Sequence, residues 1–361
     1  MFNYDAMVTN VLTSTLGIQP GDDVIVETWD HGLPIADAFI YKLRELGARP
    51  MLLFEHEETF WKSAERLPEE KLGKVGEHEW AAVEKAKGYV FITGPADFLK
   101  IWKNRSKFGA ATSYNEEWYE RAKRCRLKGA RIALGYATQQ RAHAYKIPLA
   151  SWQRMLVAAS GVDFAELKGK VARLASLMRN GEVRLTAPNG TNLTLRLAGR
   201  DAFQDDCIVD SEDLDHGRNV ANIPGGDALA CPDETYAEGS VVFDRPTSFM
   251  GKWVGGVRLG FKNGLLSNYR GRLNANLLKT AYDKASGERD RIAAIGVGVN
   301  PQVKTGFLQD SLASGVVTLG IGGNDDIGGA NKTDFYYAGV ITKATLTIDG
   351  NAVVRNGKLT L

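Results

Sequence analysis

Histidine is scarce in this 361-residue sequence, which contains only five. Four of them, His31, His56, His78 and His143, lie in the N-terminal half, and His216 is the single histidine of the second half. Transition metals in proteins require three or more nitrogen, oxygen or sulfur ligands at fixed distances. The sequence therefore argues against a histidine-rich metal site.

Cysteine is equally sparse. Cys125, Cys207 and Cys231 are odd in number, widely separated and include no C-x-x-C pair. This argues against both a disulfide framework and a thiolate zinc site. Cys207 and Cys231 are either nucleophiles beside a base that lowers the thiol pKa or small apolar side chains that pack in the core. We favour the second interpretation.

Long apolar runs and an excess of one charge are also missing. No stretch approaches the roughly 18 apolar residues of a membrane span, and the first residues lack the features of a secretory signal. We therefore expect no membrane association and a cytoplasmic location. Lys+Arg 45 against Asp+Glu 43 leaves a formal charge of +2, too balanced for the basic surface that nucleic acid requires. A small molecule is the expected partner.

The residues that are present favour a two-domain α/β protein, since 44% are hydrophobic and 24% charged. Apolar runs such as DVIVETWD (23–30), PMLLFEH (50–56) and GYVFITG (88–94) alternate with helical patterns. This rhythm is typical of βαβ units, so residues 1–165 are predicted to form a doubly wound, Rossmann-like domain with a parallel sheet. The charged stretch 66–88 is interpreted as solvated helices on its flank.

Residues 166–361 are predicted to form a β-rich, mixed α+β domain with mostly antiparallel strands. Alternating apolar runs flank the pairs Asn189-Gly190, Asn263-Gly264 and Asp349-Gly350. Such pairs between alternating runs predict β-hairpins. One predicted helix, 271–287, interrupts the strands.

The glycine-dense segment GIGGNDDIGG, residues 320–329, has Asp325 where a dinucleotide-binding fingerprint requires glycine. It also follows a late β run outside any βαβ unit, and no G-x-x-x-x-G-K-[ST] motif occurs. We therefore predict no nucleotide cofactor. The segment is interpreted as a turn lining a pocket, where glycine permits close backbone approach.

Carboxylates of the second half are the strongest candidates for chemistry. Asp227 lies in NIPGGDALACP, Asp325 and Asp326 lie between glycines, and Asp334 lies in GGANKTDFYY. Oxygen ligands suit a hard cation, whereas two carboxylates with different pKa values suit general acid and base catalysis. Turn-forming aspartate is the alternative, above all for Asp325 and Asp326. His216, in DSEDLDHGRN, is either a proton-transfer group whose pKa adjacent carboxylates raise or a loop histidine bonded to an acidic neighbour.

At these motifs the sequence resembles a known family. NIPGGDALACP followed by AEGSVVFD resembles the signature of the thermophilic metallo-aminopeptidases of the aminopeptidase T type, and IAAIGVGVNP matches their l-G-E-x-x-l-G-x-N-P. GGNDDIGGANKT is closer to a second relative on this scaffold, the iron-dependent 2,5-dihydroxypyridine 5,6-dioxygenases. The resemblance implies a two-metal site of Glu, Glu, His, His and Asp in the peptidases, a two-His-one-carboxylate iron site in the dioxygenases, and a homodimer.

Carried over position by position, the resemblance places the first Glu ligand on Asp227, which keeps a carboxylate. The catalytic tyrosine of the peptidases falls near Asp325. The remaining ligand positions fall on Ala294, Thr318, Tyr336 and Ala338. Alanine and threonine cannot replace the lost ligands, so the inherited metal site is expected to be gone and neither metal nor cofactor is predicted.

Three functions remain open. The favoured one is a metal-independent enzyme that hydrolyses an amide or opens a ring of a small polar or heteroaromatic molecule. Asp227 or His216 would act as the base, and Tyr336 or Lys332 would stabilise negative charge. The second keeps an aminopeptidase or ring-cleaving dioxygenase metal on relocated carboxylates, and the third is a non-catalytic ligand- or partner-binding protein. The predicted catalytic residues are Asp227, His216, Tyr336, Asp334 and Asp325, and the predicted substrate-binding residues are Arg218, Asn222, Lys332 and Thr318.

Overall fold

A computed structural model describes residues 2–72, 75–92, 94–103 and 109–361. By its internal contacts the chain divides into two compact units. The first consists of Met1–Phe164 and Cys207–Gly225, and the second of Ala165–Asp206 and Gly226–Leu361. The sequence assigned residues 207–225 to the second domain, but their strand joins the parallel sheet of the first unit. Within the described ranges, every helix is too short or too polar to span a bilayer.

The first unit is built on a five-stranded sheet. Its strands are β1 (Asp23–Trp29), β2 (Arg49–Glu55), β3 (Gly88–Ile92), β4 (Lys128–Ile132) and β8 (Val220–Ile223). They lie in the order β2-β1-β3-β4-β8, and all neighbours run parallel. Successive residues of β1 are buried, as expected for a parallel strand covered on both faces. The predicted doubly wound α/β domain is confirmed.

The helices of this unit are α1 (Asp5–Asn10), α2 (Leu33–Glu45), α3 (Glu57–Arg66), α4 (Glu77–Lys85), α5 (Leu99–Lys103), α6 (Gly109–Cys125), α7 (Gln139–Tyr145), α8 (Leu149–Ser160) and α10 (Ser211–Asp215). The predicted solvated helices at 66–88 are only partly solvated, because α4 buries Trp80 and Val83 in a cluster with Tyr89. Residues 73–74 of that stretch, and residue 93 of the predicted strand 88–94, lie outside the described residues.

The second unit contains the helices α9 (Phe164–Leu177) and α11 (Ala275–Lys284) and fifteen described strands. The first residue of α9, Phe164, is counted with the first unit. The strands are β5 (Asn180–Ala187), β6 (Thr191–Ala198), β7 (Phe203–Asp205), β9 (Asp227–Ala230), β10 (Pro232–Val242), β11 (Thr247–Phe249), β12 (Lys252–Val254), β13 (Arg258–Lys262), β14 (Leu265–Arg270), β15 (Ile292–Gly298), β16 (Val317–Gly322), β17 (Tyr336–Ile341), β18 (Thr345–Ile348), β19 (Asn351–Arg355) and β20 (Lys358–Leu359).

These strands form two large sheets and one small one. The eight-stranded sheet has the order β14-β13-β10-β6-β5-β18-β19-β20, the five-stranded sheet has the order β17-β16-β15-β9-β7, and β11 pairs with β12. All neighbours are antiparallel. The predicted mostly antiparallel α+β domain is therefore confirmed.

The predicted hairpins are present, joining β5 to β6, β13 to β14 and β18 to β19. Asn263 and Gly264 both have positive φ, as do Asp349 and Gly350. This is the backbone of the type I′ turn that such pairs favour. The interrupting helix is shorter than predicted, since α11 begins only after Asn274.

Candidate functional site

One face of the five-stranded sheet brings together residues that are far apart in sequence. Asp227 of β9 lies opposite Gly298 of β15. Thr318 of β16 lies between Gly296 of β15 and Val340 of β17. Gly320 of β16 likewise lies between Ala294 of β15 and Ala338 of β17. Residues directly opposite, and residues two apart on one strand, share a face. This face carries each position to which the family resemblance assigned a ligand: Asp227, Ala294, Thr318, Tyr336 and Ala338.

A cavity of about 180 Å³ lies on this face. Its polar lining consists of Asp227, Thr247, Ser248, Asp310, Ser311, Thr318 and Tyr336, and its apolar lining of Leu229, Pro246, Trp253, Phe307, Leu308, Ala338 and Val340. Drug-sized ligands occupy pockets of about 300–1,000 Å³, so this cavity suits a small molecule or one end of a larger one. Three of the sequence-predicted residues, Asp227, Thr318 and Tyr336, line it together.

Asp227 begins β9 and is only 6% exposed. Gly226 precedes it at φ +122°, and a Cβ there would come within 2.9 Å of the Asn300 Cβ, so glycine is needed for the strand to start here. No hydrogen bond from the described residues reaches the Asp227 carboxylate. Burial raises the pKa of Asp227 to about 7, because water no longer stabilises the charged form. A carboxyl group that titrates near neutral pH can both accept and return a proton.

Thr318 lines the same cavity. Its Oγ1 is buried and has no hydrogen-bond partner in the described part of the chain. An unsatisfied buried hydroxyl costs about 1–3 kcal/mol. A hydrogen bond from Thr318 to a bound molecule would remove this cost.

Tyr336 begins β17, and its ring lies across Gly320 of β16. A Cβ on Gly320 would come within 2.9 Å of the phenol oxygen, so a larger residue at this position would displace the ring. Although 45% of Tyr336 is exposed, burial around the hydroxyl, together with the charges of Asp227 and Asp326, raises the pKa of Tyr336 to about 12. The phenol therefore keeps its proton at neutral pH and can donate a hydrogen bond.

Asp310 is a cavity residue that the sequence reasoning missed. It is buried, and its Oδ1 accepts hydrogen bonds from the N–H groups of Gly306 at 2.7 Å and Phe307 at 2.9 Å. Burial raises the pKa of Asp310, and these hydrogen bonds and Arg245 oppose the rise. In sequence Asp310 resembles any turn-forming aspartate, so no local signal distinguishes it.

Three predicted residues of the second unit do not line this cavity. Asp325 is exposed in a 3₁₀ turn, Asp325–Ile327, and Asp334 and Lys332 are exposed in the segment before β17. Asp334 was predicted from its acidity, and Asp325 from its acidity and from the aligned catalytic tyrosine that falls near it. Neither signal reveals side-chain direction. Asp326, by contrast, is close enough to raise the pKa of Tyr336.

The predicted pocket-lining turn 320–329 is held instead by a buried polar network. Glu234 accepts hydrogen bonds from Arg200 Nη2 at 2.9 Å, from the Ala330 N–H at 2.9 Å and from Asn324 Nδ2 at 3.4 Å. Burial alone would raise the pKa of Glu234, but the hydrogen bonds of Arg200 and Ala330 and the Arg200 charge lower it to about 2. Apart from Gly320 beneath Tyr336, this turn therefore has an evident structural role.

The remaining predicted residues, His216, Arg218 and Asn222, belong to the first unit and are exposed there. His216 Nδ1 lies 2.7 Å from the Glu212 carbonyl oxygen. The adjacent carboxylates expected to assist His216 are engaged elsewhere, since Asp213 accepts from Arg218 at 2.9 Å and Asp215 pairs with Arg126 at 2.8 Å. His216 therefore lies exposed at the end of α10 and contacts a backbone carbonyl oxygen, not a carboxylate.

The cysteines considered as nucleophiles are buried. Cys231 Sγ lies 3.5 Å from the Ile327 carbonyl oxygen, and burial raises the pKa of Cys231 to about 11. The protonated thiol is a poor nucleophile. Cys207 Sγ accepts a hydrogen bond from the Gly225 N–H at 3.0 Å. Packing of these cysteines agrees with the favoured interpretation.

Comparison with known proteins identifies the family. Residues 5–290 match the model of the peptidase family M29, described as thermophilic metalloprotease. This chain belongs to the M29 family. A search of curated proteins found no match. Over 99% of both chains, the fold is similar to wild-type AmpT from Thermus thermophilus, with a TM-score of 0.72 and 18% identity. It is also similar to 2,5-dihydroxypyridine dioxygenase from Pseudomonas putida KT2440, with a TM-score of 0.61 and 14% identity over 99% of this chain and 96% of that chain.

The M29 match ends before β15, so it includes Asp227 but none of the other four aligned positions. The donors at these positions do not fit the metal that the family description implies. Alanine offers no ligand at Ala294 or Ala338, and neither Thr318 nor Tyr336 supplies the histidine or carboxylate of the family's ligand set. In the ranges that the structure describes, no three His, Cys, Asp or Glu side chains are grouped to hold a metal ion. The relocated set of Asp227, Asp325, Asp326 and Asp334 is therefore not assembled.

Proposed function

We propose that this M29-family chain is a hydrolase that cleaves an amide bond, in an open chain or within a ring, by metal-independent acid and base chemistry. The carrying observation is the buried Asp227 carboxyl, whose pKa of about 7 places it at the working pH of a general base. Asp227 lines one small cavity together with Thr318 and Tyr336, whose hydroxyl groups are the proposed hydrogen-bond donors. Base and hydrogen-bond donors are the two groups that acyl transfer to water needs.

In the proposed reaction, Asp227 removes a proton from a water molecule while the water oxygen bonds to the amide carbon. The carbonyl electron pair moves to its oxygen, which accepts hydrogen bonds from Tyr336 and Thr318. Collapse of this intermediate breaks the C–N bond, and Asp227 returns the proton to the leaving nitrogen. One water is consumed, nothing is oxidised or reduced, and Asp227 ends in its starting state.

The substrate is proposed to be small and polar or heteroaromatic. The cavity of about 180 Å³ limits its size, and Trp253 and Phe307 contribute aromatic groups to the lining. Aromatic side chains pack favourably on flat rings. The dioxygenase neighbour is named for a pyridine substrate, which supports this class. Opening a cyclic amide would use the same bond changes as cleaving an open-chain amide.

A screen for product formation tests this function. Small aryl amides, cyclic amides and aminoacyl anilides are incubated with the protein in buffer containing a chelator, and in parallel with added zinc, cobalt or iron. We expect turnover in the chelated sample and a loss of at least about 100-fold in kcat for Asp227→Asn. Asp201→Asn is the matched control, since Asp201 is 85% exposed in the same unit.

The outcomes separate the competing functions. Turnover that appears only with added metal, together with a stoichiometric metal content, would replace the proposal with a metallo-enzyme. Saturable binding of the screened amides without any product would favour a binding protein. Full activity of Asp227→Asn would remove Asp227 as the base.

A further inference from the structure

Arg141 of the first unit is a buried cation without a negatively charged partner. The residue is 8% exposed, and its guanidinium carbon lies 4.1 Å from the ring centroid of Phe98 and 4.6 Å from that of Tyr136. Nη1 donates a hydrogen bond to the Tyr136 carbonyl oxygen at 3.2 Å. Among the described residues, no carboxylate pairs with it, and the groups that act on its charge are the phenols of Tyr136 and Tyr145.

The Arg141 charge persists at neutral pH. Burial lowers the pKa of Arg141 to about 10, which still leaves the guanidinium protonated. A guanidinium has five N–H donors, and the Tyr136 carbonyl accepts from one nitrogen only. A buried charge without a counter-charge is unfavourable. The rings of Phe98 and Tyr136 stabilise the cation through their faces, but neither ring supplies a counter-charge.

Arg141 also lies where parallel sheets bind ligands. β2 and β3 flank β1 on opposite sides, so the chain reverses its direction of winding between β1 and β3. In open α/β sheets, ligands bind beyond the carboxyl ends of the strands at such a point. Phe98 follows β3, and Tyr136 and Arg141 follow β4. The three groups of the stack thus come from that edge of the sheet.

A buried polar atom without a hydrogen-bond partner lies on the same edge. His31 follows β1, and its Nε2 lies 2.9 Å from the carbonyl oxygen of Gly135. Nδ1 of His31 is buried and has no hydrogen-bond partner within the described residues. The turn Ala133–Tyr136 therefore provides an acceptor to His31 through Gly135 and an acceptor to Arg141 through Tyr136. Glu57, which acts on His31 electrostatically, has its carboxylate occupied by Trp61 and two backbone N–H groups.

We propose that the first unit binds a small oxyanion, a carboxylate or a phosphate, at the carboxyl edge of its parallel sheet, with the Arg141 guanidinium as its anchor. Arginine matches these anions because its planar fork donates two parallel hydrogen bonds. The anion would supply the missing counter-charge. This site is separate in sequence and in composition from the cavity of the second unit, and it does not depend on the hydrolase proposal.

Titration calorimetry with inorganic phosphate, acetate and benzoate tests the proposal, with choline chloride at equal ionic strength as the reference. The intact chain should bind at least one of these anions saturably, with Kd in the millimolar range or tighter. The phosphate and carboxylate arms identify which class is preferred. Arg141→Met should weaken that binding at least about tenfold, Arg141→Lys should weaken it less, and Arg154→Met, a change at an exposed arginine of the same unit, should leave it unchanged.

Two results would overturn the site. One is the absence of saturable binding of every anion to the wild-type chain, which would leave Arg141 as a structural cross-link between Phe98 and Tyr136. The other is equal binding by wild type and a folded Arg141→Met, which would mean that the anions act elsewhere. If Arg141→Met fails to fold, the wild-type titration and Arg141→Lys still decide the question.

Discussion

Replacing Asp227 by Asn should abolish activity and at the same time stabilise the protein. Burial raises the Asp227 pKa from its ordinary 3.8 to about 7. At 1.36 kcal/mol for each tenfold change in proton affinity, ionising Asp227 in the folded chain costs about 4 kcal/mol more than in the unfolded chain. Asparagine has nearly the same shape and never ionises. The variant should therefore lack this cost.

The sign of the pH dependence follows from the raised pKa. Between pH 3.8 and about 7 the folded chain keeps the Asp227 proton while the unfolded chain has lost it. Because the folded state binds more protons in this window, wild-type stability falls as pH rises through it and levels off above. The advantage of Asp227→Asn should be small near pH 4 and should reach up to about 4 kcal/mol above pH 7.

Urea unfolding from about pH 5 to about pH 8.5 measures this difference, and the stability gain of Asp227→Asn should grow by about 3 kcal/mol across that range. Since two units can unfold separately, native-state hydrogen exchange of the β9 and β15 amides should report the same gain locally. Asp201→Asn, which removes an exposed carboxylate, should change stability by less than about 0.5 kcal/mol at either pH.

The pH dependence of kcat should reflect the same Asp227 carboxyl group. If Asp227 is the base, kcat of the wild type should rise with pH and level off above an apparent pKa of about 7.

A stability gain of Asp227→Asn that is constant with pH, or a loss of stability in this variant, would refute the predicted cost of ionising Asp227. A loss would mean that a cation or a hydrogen bond stabilises the charged carboxylate.

Three further changes test neighbouring groups. Tyr336→Phe should lower kcat by about 10²–10³ with little change in KM, because it removes a hydrogen-bond donor to the transition-state oxyanion. An unchanged kcat in steady-state kinetics would show that Tyr336 is not such a donor. Thr318→Val should raise stability by about 1 kcal/mol in urea unfolding, because the buried hydroxyl has no partner, while lowering kcat. Glu234→Gln should cost about 3 kcal/mol at neutral pH because Arg200 loses its buried partner. Since the folded pKa of Glu234 is lowered to about 2, that difference should shrink as pH falls from about 4.5 toward 2, and a pH-independent difference would contradict this account.

Local sequence signals predicted most of the fold because they act over short distances. The Asn263-Gly264 and Asp349-Gly350 pairs require positive φ at both residues, and both turns have it. The apolar run of β1 predicts a strand covered on both faces. The exchange of residues 207–225 into the first unit has no such local signal, since it depends on β8 pairing with β4, about ninety positions away.

The candidate site was predictable only in part, for a related reason. Asp227, Thr318 and Tyr336 were identified through aligned motif positions, and strand registers bring them to one cavity. Asp325 was identified by its charge and its place near the aligned catalytic tyrosine, and Asp334 by its charge. Both lie in exposed segments, where side-chain direction follows from turn geometry. Asp310 lies at the start of a single 3₁₀ turn, Asp310–Leu312, so neither periodicity nor a motif marks it.

The proposed loss of the metal and the presence of Tyr336 are physically linked. The Tyr336 ring lies over Gly320, whose register neighbours on this face are Ala294 and Ala338. Three residues with little or no side chain leave room for one phenol, whereas glutamate, histidine or aspartate ligands at these positions would compete with that ring for the same space. On the proposed function, Gly320, Ala294 and Ala338 therefore leave the Tyr336 phenol its place on the face that carries Asp227. The proposed acid and base chemistry then depends on these small residues as well as on the carboxylate.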